Sequence, residues 1–351
     1  MSEGAKPMRL PHATHARANP AREGQKGSRA GLPRSNFCIQ NSYLLVLFYR
    51  TIIAMITAYL KIQAIPMLSH SQNYLNNKEI VLKLISFVNF QEVPLIIEIG
   101  PGKGVITDEL LKKAQKVLVI EADRKLAESL RKRYAGNGKL IIAEDDFLQH
   151  ELPKETYSVV SNIPFNITAD IIRKITNDQN LRCAYLILQK EAAIKFLGAP
   201  HAHSPLLSHF LQINFDIREL MPIARTNYTP RPKFDTTFMS FRRKQASVFE
   251  GTEAEQFRDF LVYIFERRKP LIKEALKSVM SNLQVKIILG HLNIPPDRNL
   301  KKILFSEWTD MFKTFMAHAS GKSKRAIAGA HKKLIQEQSR LKKEHRTRKD
   351  D

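Results

Sequence analysis

From Pro94 the chain alternates between short apolar runs and charged stretches of helical period. PLIIEIG (94–100), KVLVIEAD (116–123), KLIIAEDD (139–146), YSVVSN (157–162) and CAYLILQ (183–189) read as strands. VITDELLKKA (105–114) and RKLAESLRKRYA (124–135) read as helices between them. Strands alternating with helices of that length predict βαβ units and a parallel sheet. FDIREL (215–220) and DTTFMSFRR (235–243) have no long helix between them, so they read as a terminal antiparallel pair on one sheet edge. After Phe249 the period becomes helical throughout, with Pro270 as a break. No internal repeat stands out. The expected organisation is an N-terminal extension (1–66), an α/β domain (67–245), an all-helical domain (246–318) and a basic tail (319–351), helical or unfolded.

Charge changes the picture from fold to partners. The chain has 351 residues and a formal net charge of +22. Such a charge points first to nucleic acid and second to an anionic membrane surface. Residues 321–351 hold eleven Lys or Arg against four acids, and residues 1–36 hold seven against two, which leaves +10 for the middle. The ordered part is therefore basic too. The two cysteines, Cys38 and Cys183, form no CxxC pair. That excludes a disulfide scaffold and a zinc ribbon and suits a reducing cytoplasm. His201 and His203 in GAPHAHSP lack further ligands nearby and read as a solvated loop, so no metal is expected.

Residues 43–60, YLLVLFYRTIIAMITAYL, are long enough to span a bilayer, but Arg50 sits near the middle. An arginine there costs about 2.5–3.5 kcal/mol on insertion scales. The stretch fits a signal anchor, an amphipathic helix, or sequence upstream of the working protein. The third reading is favoured, with function beginning near Met67 and no stable membrane partner.

EIGPGKG (98–104) follows the first long strand and opens the first helix. Gly100, Gly102 and Gly104 let the backbone turn tightly and approach a ligand closely. The spacing is GxGxG, neither the GxGxxG of pyrophosphate-binding dehydrogenases nor a P-loop. Glu121 ends the second long strand, where a carboxylate can accept both hydroxyl protons of a ribose. Asp146 ends the third, where it can accept a proton from an adenine amino group. Helix capping or plain exposure accounts for either acid alone. Glycines and acids together, at successive strand ends, favour a nucleoside site.

SNIPFNI (161–167) ends the fourth long strand with an amide, a bend and an aromatic ring. An aromatic amine is a poor nucleophile because its lone pair is delocalised into the ring. Accepting hydrogen bonds from both its N–H groups turns that lone pair outward. Asn162 Oδ1 and the Ile163 carbonyl can do this, and Pro164 fixes the bend that presents the carbonyl. Phe165 can stack on a base, worth about 1–3 kcal/mol; the alternative is an ordinary core aromatic. An adenine in a duplex must be flipped out to reach such a site.

SHSQNYL, EIGPGKG, VIEAD, EDDFL, SNIPFNITADIIRKI and TNYTPRPKFDTTF together resemble the ribosomal RNA adenine-N6 dimethyltransferases, in order and spacing over about residues 68–318. NIPFNITADIIRKI is most similar to the erythromycin-resistance (Erm) branch. The small-subunit enzymes tend towards NLPYNI. The resemblance implies a Rossmann-like sheet, S-adenosyl-L-methionine as donor, and two transfers to one adenine of 23S rRNA before full subunit assembly. It further implies a monomer and resistance to macrolides, lincosamides and streptogramin B. By resemblance, Asn73, Leu75 and Gly100 lie at the methionine end. Glu121 holds the ribose and Asp146 the adenine ring. Asn162 faces both cofactor and target, and Phe165 takes a position usually held by tyrosine. A housekeeping 16S rRNA enzyme and a non-catalytic RNA or transcription partner are the alternatives.

Overall fold

The computed structural model describes residues 73–201 and 205–340. The N-terminal extension, the 43–60 stretch, Met67, most of SHSQNYL, His203 and residues 341–351 lie outside the described residues.

The described chain begins with β1 (Tyr74–Leu75) and α1 (Lys78–Ser86). The parallel core follows: β2 (Leu95–Ile99), α2 (Val105–Lys113), β3 (Lys116–Glu121), α3 (Arg124–Arg133), β4 (Leu140–Glu144), β5 (Tyr157–Asn162), α4 (Thr168–Asn177) and β6 (Leu181–Gln189). Then come α5 (Lys190–Leu197), α6 (Leu206–Asn214), β7 (Phe215–Ile223), β8 (Tyr228–Thr229) and β9 (Thr236–Arg243). β2 reads LIIEI and every position is buried, as a strand covered by helices on both faces requires. Asn77 caps α1 by accepting from the N–H groups of Glu79 and Ile80.

The seven-stranded sheet has the order β4-β3-β2-β5-β6-β9-β7. The chain builds outward from β2 through β3 to β4, then returns to lay β5 against the other side of β2. That reversal is a topological switch point, and open parallel sheets bind ligands outside the strand ends there. The expected antiparallel pair is present, with one refinement. β9 inserts between β6 and β7, antiparallel to both, so β7 alone forms the edge. A separate two-stranded ribbon joins β1 to β8, pairing Tyr74 with Thr229 and Leu75 with Tyr228.

The remainder is helical: α7 (Gly251–Glu266), α8 (Ile272–Leu276), α9 (Asn282–His291), α10 (Phe305–His318), α11 (Gly321–Ile327) and α12 (Ala330–Arg340). Its core holds Phe257, Phe260, Trp308, Phe312 and Phe315, all fully buried. Ile213 of α6 joins that cluster, so the helical core is continuous with the α/β part. The stretch read as a basic tail continues the fold: Ile327 is buried in the same cluster. Asp259 of α7 accepts both Gly329 N–H and His331 N–H at 2.8 Å, fixing the start of α12. No described helix is long and apolar enough to cross a membrane.

Candidate active site

Gly100 and Asn162 terminate β2 and β5, the two strands flanking the switch point. Gly100, Gly102 and Gly104 all have left-handed φ, at +63°, +56° and +79°. At Gly102 a Cβ would sit 2.6 Å from Tyr74 Cε1, and at Gly104 2.6 Å from the Tyr134 hydroxyl. Both glycines therefore answer two demands, backbone conformation and close packing. A Cβ added at Gly100 would meet Pro164 Cδ at 3.9 Å, ordinary contact, which places the glycine loop beside the SNIPF bend. Ser161 Oγ donates to the Ile99 carbonyl at 2.6 Å and ties the two strand ends together.

Glu121 is buried at the end of β3 and accepts from Gly102 N–H and Asp123 N–H, both at 3.0 Å. Burial pushes its carboxyl up, and those backbone donors pull it back. Capping of α3 falls to Asp123, which accepts from Lys125 and Leu126, so capping does not explain Glu121. A carboxylate has about four acceptor sites, so these backbone bonds leave capacity for a hydroxyl. Beneath the loop lies Glu98, fully buried, taking the Thr107 hydroxyl at 2.6 Å. Burial raises its carboxyl to about 8.

Asp146 is exposed just beyond β4. Its Oδ1 accepts Leu148 N–H at 2.9 Å, a local turn rather than the helix cap that the sequence left as an alternative. Leu75 is buried in the sheet core rather than at a surface.

Asn162 carries the most informative geometry. Its Nδ2 donates to the Asn73 carbonyl at 3.0 Å, while its buried Oδ1 has no hydrogen-bond partner. A buried amide oxygen without a donor costs about 1–3 kcal/mol. Here the anchored Nδ2 fixes the amide plane, so Oδ1 is held ready to accept. Ile163 is buried, and Pro164 sits at φ −59°, ψ 124°, bending the chain into a short turn at Phe165–Ile167. Phe165 is half-buried, and its ring pairs with no other aromatic among the described residues. It is not a core aromatic.

The structure thus gathers Asn73, Gly100, Gly102, Glu121 and Asn162–Phe165 around one switch point, with Asp146 beyond the neighbouring strand. Two contributors escaped the sequence reading. Tyr74 packs over Gly102, and the Asn73 main chain, rather than its side chain, orients Asn162. Asn76 and Asn77 hold this segment through Thr229 Oγ1 at 2.7 Å and Asn227 Oδ1 at 2.9 Å. Only the recurrence of asparagine in QNYLNN and TNYT hinted at that link.

Comparisons with known proteins identify the family and the fold. The family model described as ribosomal RNA adenine dimethylase matches residues 68–317. The ribosomal RNA small subunit methyltransferase A of Mycoplasma mobile is 30% identical over 249 residues, covering 68% of this chain and 96% of that protein. An rRNA adenine N-6-methyltransferase of Bacillus licheniformis is 26% identical over 69% of this chain and 85% of its own length. The fold is shared with the 23S rRNA methyltransferase ErmE at a TM-score of 0.66 and 24% identity, over 70% of this chain and 100% of that one. It is also shared with a dimethyladenosine transferase of Plasmodium falciparum, at 0.57 and 22%, over 69% and 97%. Sheet order, strand-end motifs and a match over most of the described chain lead to one conclusion: this chain belongs to the ribosomal RNA adenine dimethylase family.

Proposed function

We propose that the chain uses S-adenosylmethionine to dimethylate N6 of one adenine in 23S rRNA, and that it thereby confers macrolide, lincosamide and streptogramin B resistance. The unpartnered Oδ1 of Asn162 carries the chemical part of this reading. It is a buried acceptor, held rigid, at the strand end where a ligand belongs. The residues fit the cofactor. Gly100 and Gly102 open the backbone for close approach, Glu121 offers oxygens to a ribose, and Asp146 Oδ2 has no hydrogen-bond donor among the described residues. When bound, S-adenosylmethionine supplies an electrophilic methyl group.

The chain's own work is positioning and electrostatics. Asn162 Oδ1 and the Ile163 carbonyl accept the two N–H groups of the target amine. This localises the nitrogen lone pair and aims it. Phe165 offers its free face to the extruded base. No strong general base is required, since the methylated amine cation loses its proton readily to water.

RNA binding is assigned to residues 246–340. Lys322, Arg325, Lys332, Lys333 and Arg340 are exposed on α11 and α12. Affinity then falls steeply with salt, as phosphate contacts release counterions. The large-subunit target rests on NIPFNITADIIRKI, which resembles the resistance branch. A second reading, the small-subunit target, is favoured by 30% identity to a small subunit methyltransferase A. Mapping dimethyladenine in rRNA from expressing cells, with erythromycin tolerance scored in parallel, separates them. The expected result is one modified 23S adenine and raised tolerance. Modification confined to 16S rRNA establishes the second reading, and no modified adenine in either rRNA overturns both.

A further inference from the structure

Lys174 lies on α4, the helix that follows the SNIPF bend, but its side chain reaches a different loop. Its ammonium donates to the main-chain carbonyls of Phe147 at 2.7 Å, Leu148 at 3.0 Å and His150. An ammonium has three donors, and all three are used on one loop. That loop begins with Asp146, whose own carbonyl accepts Gln149 N–H at 2.8 Å and His150 N–H at 2.9 Å. The backbone there is a single tight turn with its carbonyls converging on one nitrogen. The Lys174 ammonium also lies 5.1 Å from the centroid of the Phe147 ring, which is buried in the sheet core. Burial lowers the Lys174 pKa, while the neighbouring Asp146 and Asp145 carboxylates oppose that shift.

A lysine bridging two surface loops needs no such arrangement. Ion pairing with Asp145 or Asp146 from solvent would suffice, and it would leave the carbonyls to water. We infer that Lys174 is a positioning residue for the cofactor: it fixes the turn that presents Asp146 and couples that turn to the helix carrying the target-base loop. The inference rests on the reading that Asp146 takes the adenine ring of the donor.

The test is titration calorimetry of the full-length protein with S-adenosylhomocysteine, alongside binding of an rRNA fragment and a thermal unfolding midpoint. Lys174→Met is expected to raise the S-adenosylhomocysteine dissociation constant tenfold or more and to leave RNA affinity within twofold. Lys174→Arg keeps the charge but cannot place three donors of one nitrogen on three carbonyls, and it is expected to fall between the two. Asp146→Ala alone should weaken binding, and the double variant Lys174→Met/Asp146→Ala should bind no worse than Asp146→Ala. Additive losses overturn the inference, as does an Arg variant that binds like the parent. If Asp146→Ala weakens binding and Lys174→Met does not, Lys174 has no positioning role and the cofactor reading stands. If Asp146→Ala binds normally, the placement of the adenine fails and the inference falls with it.

Discussion

Among the described residues, two regions bury polar side-chain atoms without partners, and they do so in different ways. At the sheet end, Asn162 Oδ1 is orphaned on a half-buried residue whose other amide atom is anchored to Asn73. Where α6 meets the helical core, both ring nitrogens of His209 and Nε1 of Trp308 are orphaned as well. These two residues are 1% and 0% exposed and lie among Phe265 and Phe305, with centroids 6.1–6.4 Å from the His209 ring. The first orphan lies at the switch point between β2 and β5. The second faces only aromatic packing. Under the proposed function the acceptor at the strand end is capacity held for a substrate, whereas unpaired groups inside a closed core are a cost that the surrounding apolar burial offsets.

The comparison breaks first at Asn162. Asn162→Ala is expected to lower kcat by about 10²–10³, the loss seen when one preorganised polar contact to a reacting group is removed. Stability should change little, because removal of the orphaned acceptor offsets loss of the Nδ2 bond to Asn73. A variant that methylates normally but unfolds early would make Asn162 a core residue and remove the proposed chemistry.

The second way in is pH, because each region also buries an ionisable group. Burial depresses the His209 imidazole from 6.5 to about 4. The unfolded chain therefore binds a proton that the folded chain refuses, and stability is lost as pH falls from 6.5 towards 4. Glu98 behaves oppositely: its carboxyl rises from 4.5 to about 8, so stability is lost as pH rises across that range. Each limb has a limiting slope of about 1.4 kcal/mol per pH unit. Denaturant midpoints against pH for His209→Leu and Glu98→Gln should flatten the acid and the alkaline limb respectively. Unchanged limbs in both variants would mean that neither group is buried as described.

The smallest expected effect concerns the arm beyond α10. Asp259→Ala removes the acceptor for two backbone donors at the start of α12 and leaves every basic side chain in place. RNA affinity should fall about fivefold, the equivalent of ~1 kcal/mol. Its salt dependence and the affinity for S-adenosylhomocysteine should be unaltered. Filter binding across a salt series reads this directly. If affinity holds, α12 acts as a loose tether and its mounting on α7 is irrelevant to RNA.

Much of the site was legible in the chain because its signals are local. GPGKG needs left-handed backbone at fixed spacing, and all three glycines have it. Pro164 bends the chain where Asn162 and Phe165 must point differently. The acids at 121 and 146 follow apolar runs that could only be strands. What stayed hidden depends on residues far apart in sequence. Nothing near Lys174 in TADIIRKI marks it as the ligand of three carbonyls some 25 residues earlier. The insertion of β9 between β6 and β7 is equally invisible to periodicity, since either order presents the same apolar faces. The basic stretch after residue 319 read as a tail because charge dominates its composition, yet the buried Ile327 and the cap from Asp259 make its first part a structural element.

By itself, the order of residues determined the parallel sheet, the position of the glycine loop and the identity of the groups offered at successive strand ends. These follow from steric rules and burial patterns that act over a few residues. The tertiary structure alone decided how those groups are aimed. Asn162 is oriented by a main-chain oxygen 89 positions away, and Gly102 is covered by a tyrosine from the β1–β8 ribbon. Hydrogen-bond direction and packing distance are properties of the folded neighbourhood, and they exist only once distant segments have met.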